Sequence, residues 1–207
     1  MTIALRSTKG SALTYGEVDG NFIDLDNRTK VAVQNLRGQI DLSGVVNPPT
    51  MSDYNGVPLM AFSASIIQEC PVRMHMPHDY VNGTDILPHG HVLVSTAATG
   101  VIRWGFTMLW ANEYDLPDWP SPPAADQKFQ SLGTMYVEYT VRATDQDAHL
   151  VITPPAALSL PLLKKDAVIL MTVIRDSTHI NDTYPDPAFL TYVDLYYQSQ
   201  GFGSAGY

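Results

Sequence analysis

Val101-Ile102-Arg103-Trp104-Gly105-Phe106-Thr107-Met108-Leu109-Trp110 is the stretch that decides the fold. Ile102, Trp104, Phe106, Met108 and Trp110 recur at every second position, and that period places them on one face of a β-strand with a large apolar side. Working outward, Met135, Val137, Tyr139 and Val141 alternate with Thr134, Tyr136, Glu138, Thr140 and Arg142, the pattern of a half-buried strand. Val168–Ile174 is nearly continuous apolar and β-branched and predicts a strand covered on both faces. Phe189, Val193, Leu195 and Tyr197 are expected to face one way in the last strand. Weaker runs at Leu59–Gln68, Ile86–Thr96 and Leu150–Thr153 bring the number of strands to about seven or eight. Turn residues separate the runs at Asn82-Gly83, Ala98-Thr99-Gly100, Pro154-Pro155 and Asp182–Pro187. The expected fold is mainly β, a jelly-roll-like antiparallel β-sandwich. The Pro-rich excursion Asp115–Gln127 is too long for a hairpin connection and reads as a surface loop or contact arm.

The chain has 207 residues, room for one sizeable core. With 45% hydrophobic and 16% charged residues it is a folding composition, not a disordered one. Twelve Lys and Arg against 21 Asp and Glu leave a formal charge of −9 and a pI near 4.9, without a basic block. That balance argues against nucleic acid as a partner, because phosphate neutralisation needs clustered cations. No run approaches the ~18 apolar residues of a membrane span, and Met1–Gly10 lacks the apolar stretch of a signal peptide. A soluble protein made in the cytosol, with no membrane partner, is therefore expected. Cys70 is the single cysteine, so no disulfide forms within the chain, and a small buried hydrophobe is its expected role.

Upstream of the strands the period differs. Thr14-Tyr15-Gly16-Glu17 has the form of a capping box, so a helix is predicted to begin near Tyr15. Val18, Phe22, Leu25, Thr29, Ala32 and Leu36 follow at alternating spacings of four and three, the repeat of a coiled-coil seam, and Gly38 ends it. So short a helix cannot hold an oligomer together alone. It is either an anchor and oligomerisation element or an amphipathic helix docked on its own domain. Asp41–Pro58 is turn-rich and reads as a linker. The expected organisation is an N-terminal anchor segment at 1–40, a linker at 41–58 and a β-sandwich at 59–207. Deleting residues 1–40 is then expected to leave every strand of the sandwich.

His75, His78, His89 and His91 lie close together in the chain, with His149 and His179 elsewhere. His89 and His91 share one face of a strand. Gly83, five further residues and then His89-Gly90-His91 match the opening of the first cupin motif, in which two such histidines bind a metal. The match stops there, since Ser95 and Thr96 stand where a carboxylate would follow and no second motif supplies another ligand. Two histidines without a carboxylate make a poor divalent site. No metal and no cofactor are therefore expected, with His89 and His91 kept as the candidates should the chain be a degenerate cupin-type metalloenzyme. The competing reading has these imidazoles hydrogen-bonded within a packed face or subunit contact. The chain has no Gly-x-Ser-x-Gly elbow, no phosphate-cradling Gly-rich loop and no His-Glu-x-x-His, and no catalytic residue is assigned. Asp145/Asp147 and Glu113/Asp115 have turn-like surroundings and read as solvated surface. Trp119 and Tyr184 are the candidate ligand contacts of an exposed aromatic groove, while strand aromatics such as Tyr192, Tyr196 and Tyr197 more often pack.

Two parts of the chain resemble tailed-bacteriophage virion proteins. Leu13-Thr14-Tyr15-Gly16-Glu17-Val18-Asp19-Gly20-Asn21-Phe22-Ile23-Asp24-Leu25 resembles the Leu-Thr-x-x-Glu-x-Asp-x-Asn-Phe-x-x-Leu segment near the start of many phage tail-fibre and other appendage proteins. The resemblance implies anchoring or oligomer formation through Thr14, Glu17, Asp19, Asn21 and Phe22, beside the Val18/Phe22/Leu25 seam. Pro88-His89-Gly90-His91, Gly100-Val101-Ile102-Arg103-Trp104-Gly105 and the series Arg175-Asp176, Asp182-Thr183-Tyr184, Phe189-Leu190 and Val193-Asp194 are similar to small phage structural proteins. That likeness implies a β-sandwich component located in the virion: a short tail fibre, spike, collar or head-decoration protein without catalytic residues. Its implied partners are its own copies, as a homotrimer, and other virion proteins. A receptor-binding appendage, the alternative within this class, adds a host surface glycan. Apolar residues at Val101, Leu109 and along Val168–Ile174 exceed what one sandwich interior requires, and a closed symmetric oligomer covers such surplus surface.

Overall fold

A computed structural model describes residues 32–114 and 121–200. Among them eleven strands run in the order β1 (Ala32–Arg37), β2 (Gln39–Ile40), β3 (Thr50–Tyr54), β4 (Val57–Phe62), β5 (Gln68–His75), β6 (Leu87–Val94), β7 (Gly100–Ala111), β8 (Gln130–Val141), β9 (Leu150–Ile152), β10 (Val168–Arg175) and β11 (Ala188–Ser199). One sheet has the order β3-β4-β11-β6-β9, with β1 also paired to β11, and the other has the order β2-β5-β10-β7-β8. Four antiparallel pairings nest, β4 with β11, β5 with β10, β6 with β9 and β7 with β8, as one long hairpin wound over two layers. Among the described residues no helix is long and apolar enough to cross a membrane.

The period-two stretch is β7, and its apolar face is the centre of the core. Ile102, Phe106 and Met108 are fully buried, and so is Trp104, whose ring meets Phe62 of the opposite sheet edge-on at 5.2 Å. On the adjoining β10, Ile169, Met171 and Val173 face the same interior. Burying each such side chain contributes about 1.5–3 kcal/mol, so β7 and β10 supply a large share of the core.

Four local features depart from the sequence expectation. First, β5 lies inside its sheet, between β2 and β10, although Pro71 sits in its middle opposite Thr172. Proline has no N–H to donate, which made this run unreadable as a central strand. Second, β10 is covered on one face only: Val168, Leu170, Thr172 and Ile174 are half-buried or exposed. Third, a bulge between Leu190 and Tyr192 shifts the register of β11. Ala188 and Leu190 before it, and Val193, Leu195 and Tyr197 after it, face the core, while Phe189 turns away and packs on Tyr54 at 5.7 Å.

Fourth, the N-terminal part is strand where helix was expected. Ala32–Arg37, the predicted last turns of the seam, pair with Ser199–Asp194 of β11, and Leu36 packs against the core. Residues 50–58 of the expected linker belong to the β3–β4 hairpin, Thr50–Phe62, whose Asn55-Gly56 turn has positive φ at both positions. The sandwich thus begins by Ala32, and a deletion of residues 1–40 would remove β1 and β2. A cut before residue 32 spares every strand among the described residues. The rest of the predicted helix, with Thr14, Glu17, Val18, Asp19, Asn21, Phe22 and Leu25, lies outside the described residues.

A saturated ion pair closes one end of the sandwich. Arg175, 0% exposed, points inward from the end of β10. Its Nε and Nη2 donate to Asp182 at 3.2 and 3.0 Å, Nη1 donates to the carbonyls of Phe62 and Asp186, and Nη2 also donates to that of Tyr184. All five N–H groups of the guanidinium are used. They fix the Asp176–Pro187 loop to both sheets, and the backbone of Thr183 and Tyr184 then donates to the Val101 carbonyl. Gly100 allows this approach, since a Cβ there would stand 2.8 Å from the Thr183–Tyr184 backbone.

Candidate functional site

On β6 the inward positions are Gly90, Val92 and Val94, so His89 and His91 face out of the sandwich. A Cβ on Gly90 would touch Leu190 and Phe106, side chains of the core. In the antiparallel register Asp194 of β11 lies opposite His89, and Tyr192 lies opposite His91. The bulge that turns Phe189 outward also aims these two residues at the histidine face. Both sheet strands bring their polar side chains together without any loop, and backbone pairing fixes the spacing.

Asp194 Oδ1 stands 2.5 Å from His89 Nε2 and 3.1 Å from His91 Nε2. His91 is hydrogen-bonded to this oxygen, and its Nδ1 is 2.6 Å from His149 Nε2. Asn35 of β1 donates its amide to the second oxygen, Oδ2. His89 differs: neither of its ring nitrogens makes a hydrogen bond, and Oδ1 stands near Nε2 but out of line. The three residues are nearly inaccessible, with Asp194 at 0%, His89 at 1% and His91 at 5% exposure. Burial lowers the His89 imidazole below its ordinary value of 6.5, against the pull of the Asp194 carboxylate, so this ring is held neutral. The donor atoms of His89, His91 and Asp194 all lie within 4.8 Å of one another, a set that could hold a cation.

Aromatic rings frame the cluster. Tyr196 meets His89 at 4.0 Å, Tyr192 stacks on His91 at 3.9 Å, and the Arg37 guanidinium lies 4.5 Å above Tyr192. Beside them opens a cleft of about 290 Å³ lined by Tyr54, Asp147, His149, Thr191 and Tyr192 among others. The Tyr54 hydroxyl donates to Asp147 Oδ1 at 2.7 Å, and this bond raises the phenol above its ordinary value.

The structure sorts the expected site residues. His89 and His91 meet, and the carboxylate that the sequence lacked nearby comes from Asp194, far along the chain. His75 and His78 do not join them: His75 is exposed at the end of β5 in the other sheet, and His78 pairs with Asp166. Tyr184 is not an exposed ligand contact. It is 1% exposed, with its hydroxyl 3.1 Å from that of Thr96 and its carbonyl held by Arg175. Trp119 lies outside the described residues. His149 and Asp194 were missed, although Tyr192-x-Asp194-x-Tyr196 does mark an acid on the outward parity of a strand.

No family model matches this chain, and no curated protein matches it. Among solved structures, the chain is similar to the C-terminal family 22 carbohydrate binding module of Clostridium thermocellum Xyn10B, at 8% sequence identity and a TM-score of 0.34, over 84% of this chain and 88% of that one.

Proposed function

We propose that this chain is a non-enzymatic structural component of a tailed-phage particle, a jelly-roll domain that packs against copies of itself and is attached through its N-terminal segment. The nested strand pairs support the jelly-roll reading. The observation that carries self-assembly is the outward face of the β2-β5-β10-β7-β8 sheet. Leu170 sits directly opposite Leu109 there, with Val168 and Ile174 along the same strand and Val101 further along β7, none of them buried. A row of apolar side chains on an otherwise polar surface is covered in the assembled state, and three copies around an axis do so in a closed form. The likeness of Leu13–Leu25 to appendage anchors supports the phage assignment.

Three measurements test this reading. Mass spectrometry of purified particles should find the chain, and its absence from them refutes the proposal. Light scattering should show a trimer of the full chain that Leu170→Glu reduces to monomer, because a buried uncompensated carboxylate opposes association. Deleting residues 1–31 should leave a folded domain that fails to enter particles.

The cleft supports a second reading, glycan binding by the same appendage. Tyr54 offers an aromatic ring beside Tyr192, whose own ring is covered by His91 and Arg37, and Asp147, His149 and Thr191 offer hydrogen-bonding groups. Tyr54→Ala should abolish retention on a glycan array if this reading holds; a wild-type chain retained by no glycan removes it. The degenerate cupin reading gains a carboxylate from Asp194, but no residue that would act on a substrate has been identified beside it.

A further inference from the structure

We propose that His89, His91 and Asp194 form a binding site for one divalent transition-metal ion of the zinc class, on the outward face of the six-stranded sheet between β6 and β11. Two imidazole nitrogens and one carboxylate oxygen converge there from adjacent strands. Bonds of about 2.0–2.2 Å to a shared ion place such donors roughly 3–4 Å apart. The observed 2.5 and 3.1 Å separations reach that range with small side-chain rotations and no backbone movement.

The unmet Nε2 of His89 is the independent sign of a ligand. A fully buried imidazole with neither nitrogen hydrogen-bonded is costly, and an ion between Nε2 and Oδ1 gives Nε2 a bond that its misaligned contact with Asp194 does not. The surrounding groups hold the donors in place as outer partners do in metal centres. Asn35 occupies Oδ2 of Asp194 and leaves Oδ1 to face the histidines, while Nδ1–H of His91 donates to Nε2 of His149, the tautomer that presents the bare Nε2 of His91 to the ion. Two nitrogens and one oxygen suit zinc, iron or manganese in its divalent form; calcium and magnesium prefer oxygen throughout. The site differs from what the His89/His91 spacing alone suggested, because its third ligand comes from β11 and it faces away from the core. Its role follows from its position: the ion ties β6 to β11, the two strands at the middle of the sheet, with β1 held alongside through Asn35.

The rival arrangement is a carboxylate hydrogen-bonded between two imidazoles with no ion. Full-length protein stripped with EDTA, reloaded with Zn2+ and freed of excess by gel filtration distinguishes the two. Elemental analysis should find one zinc per chain, and melting should rise by about 5–10 °C at zinc concentrations a hundredfold above Kd. Asp194→Asn should lose stoichiometric zinc, whereas His75→Ala, an exposed histidine in the other sheet, should keep it. Should Asp194→Asn not fold, Co2+ added to the wild-type chain still decides the matter, through the visible absorption of a cobalt ion bound by nitrogen and oxygen. Zinc at the level of Asp194→Asn with an unchanged melting temperature, or a wild-type chain that gives no cobalt bands, overturns the proposal.

Discussion

Two buried ionic clusters sit at different places in the sandwich and differ in one respect. Between the sheets, Arg175 has an acceptor for each of its five N–H groups, and Asp182 accepts in addition from the Arg103 backbone at 3.0 Å. On the outward face of the β6–β11 sheet, His89 keeps both ring nitrogens without a hydrogen bond beside an equally buried carboxylate. A saturated cluster has nothing left to bind and can only hold the fold. An unsaturated one retains a coordination position, and low dielectric makes that position expensive to leave unused.

The clamp should show the largest effect. Arg175→Met leaves Asp182 buried without its counter-charge and frees the Asp176–Pro187 loop, and should cost about 3–5 kcal/mol in urea unfolding. A loss under about 1 kcal/mol would mean that the loop is held by something else. Gly100→Ala attacks the same loop from β7, where the new Cβ meets backbone that cannot move without breaking the Val101 bonds. It should cost roughly 1–3 kcal/mol, with urea unfolding again the measurement. Asp194→Asn makes the contrast: in EDTA it should change stability by less than about 1 kcal/mol, because the carboxylate faces the Asn35 amide and an imidazole that burial holds neutral, and no fixed counter-charge is stranded by its loss. An Asp194→Asn loss as large as that of Arg175→Met would erase the distinction between clamp and site.

Cys70 reports on the clamp without altering it. The thiol is fully buried on β5, 3.8 Å from the Met60 sulfur, and burial pushes its pKa up to about 12. Iodoacetamide at pH 8 should leave the folded wild type unlabelled and label Arg175→Met faster, in proportion to its population of open molecules. Equal labelling of the two proteins would show that Arg175 does not hold the sheets together.

The core of the fold was legible because the sequence of β7 and β8 obeys a single period, and burial of Trp104, Phe106 and Met108 follows from it. Turn residues located most strand ends for the same local reason. Three things were not local. Pro71 hides a central strand whose neighbours supply its pairing. Ala32 and Leu36 fit a heptad as well as a strand edge, and only β11 decides between them. Asp194 is separated from His89 by more than a hundred positions, so register across two strands creates the site, and a one-residue bulge sets that register. Tyr184 failed in the opposite direction: a loop aromatic read as exposed is buried because Arg175 holds its loop inward.

The smallest expected effect concerns a third carboxylate, read from sequence as solvated surface. Asp145 is 4% exposed, and its Oδ2 accepts from the Arg142 backbone amide at 2.9 Å while Oδ1 pairs with the Arg142 guanidinium at 3.1 Å. The Arg142 amide first, then its side chain and the Tyr139 hydroxyl, hold the carboxyl below its ordinary value of 3.8. A folded pKa below the unfolded one means that the ionised group stabilises the native state. That contribution is fully present above the unfolded value and disappears as the pH falls through the folded one. The melting temperature of the wild type should therefore exceed that of Asp145→Asn by a constant margin at neutral pH, and the margin should shrink as the pH drops below 3.8. This contact is an acid-labile one at the edge of the fold. Parallel melting curves for the two proteins from neutral to strongly acidic pH would show that Asp145 is no more ionised in the folded chain than in the unfolded one.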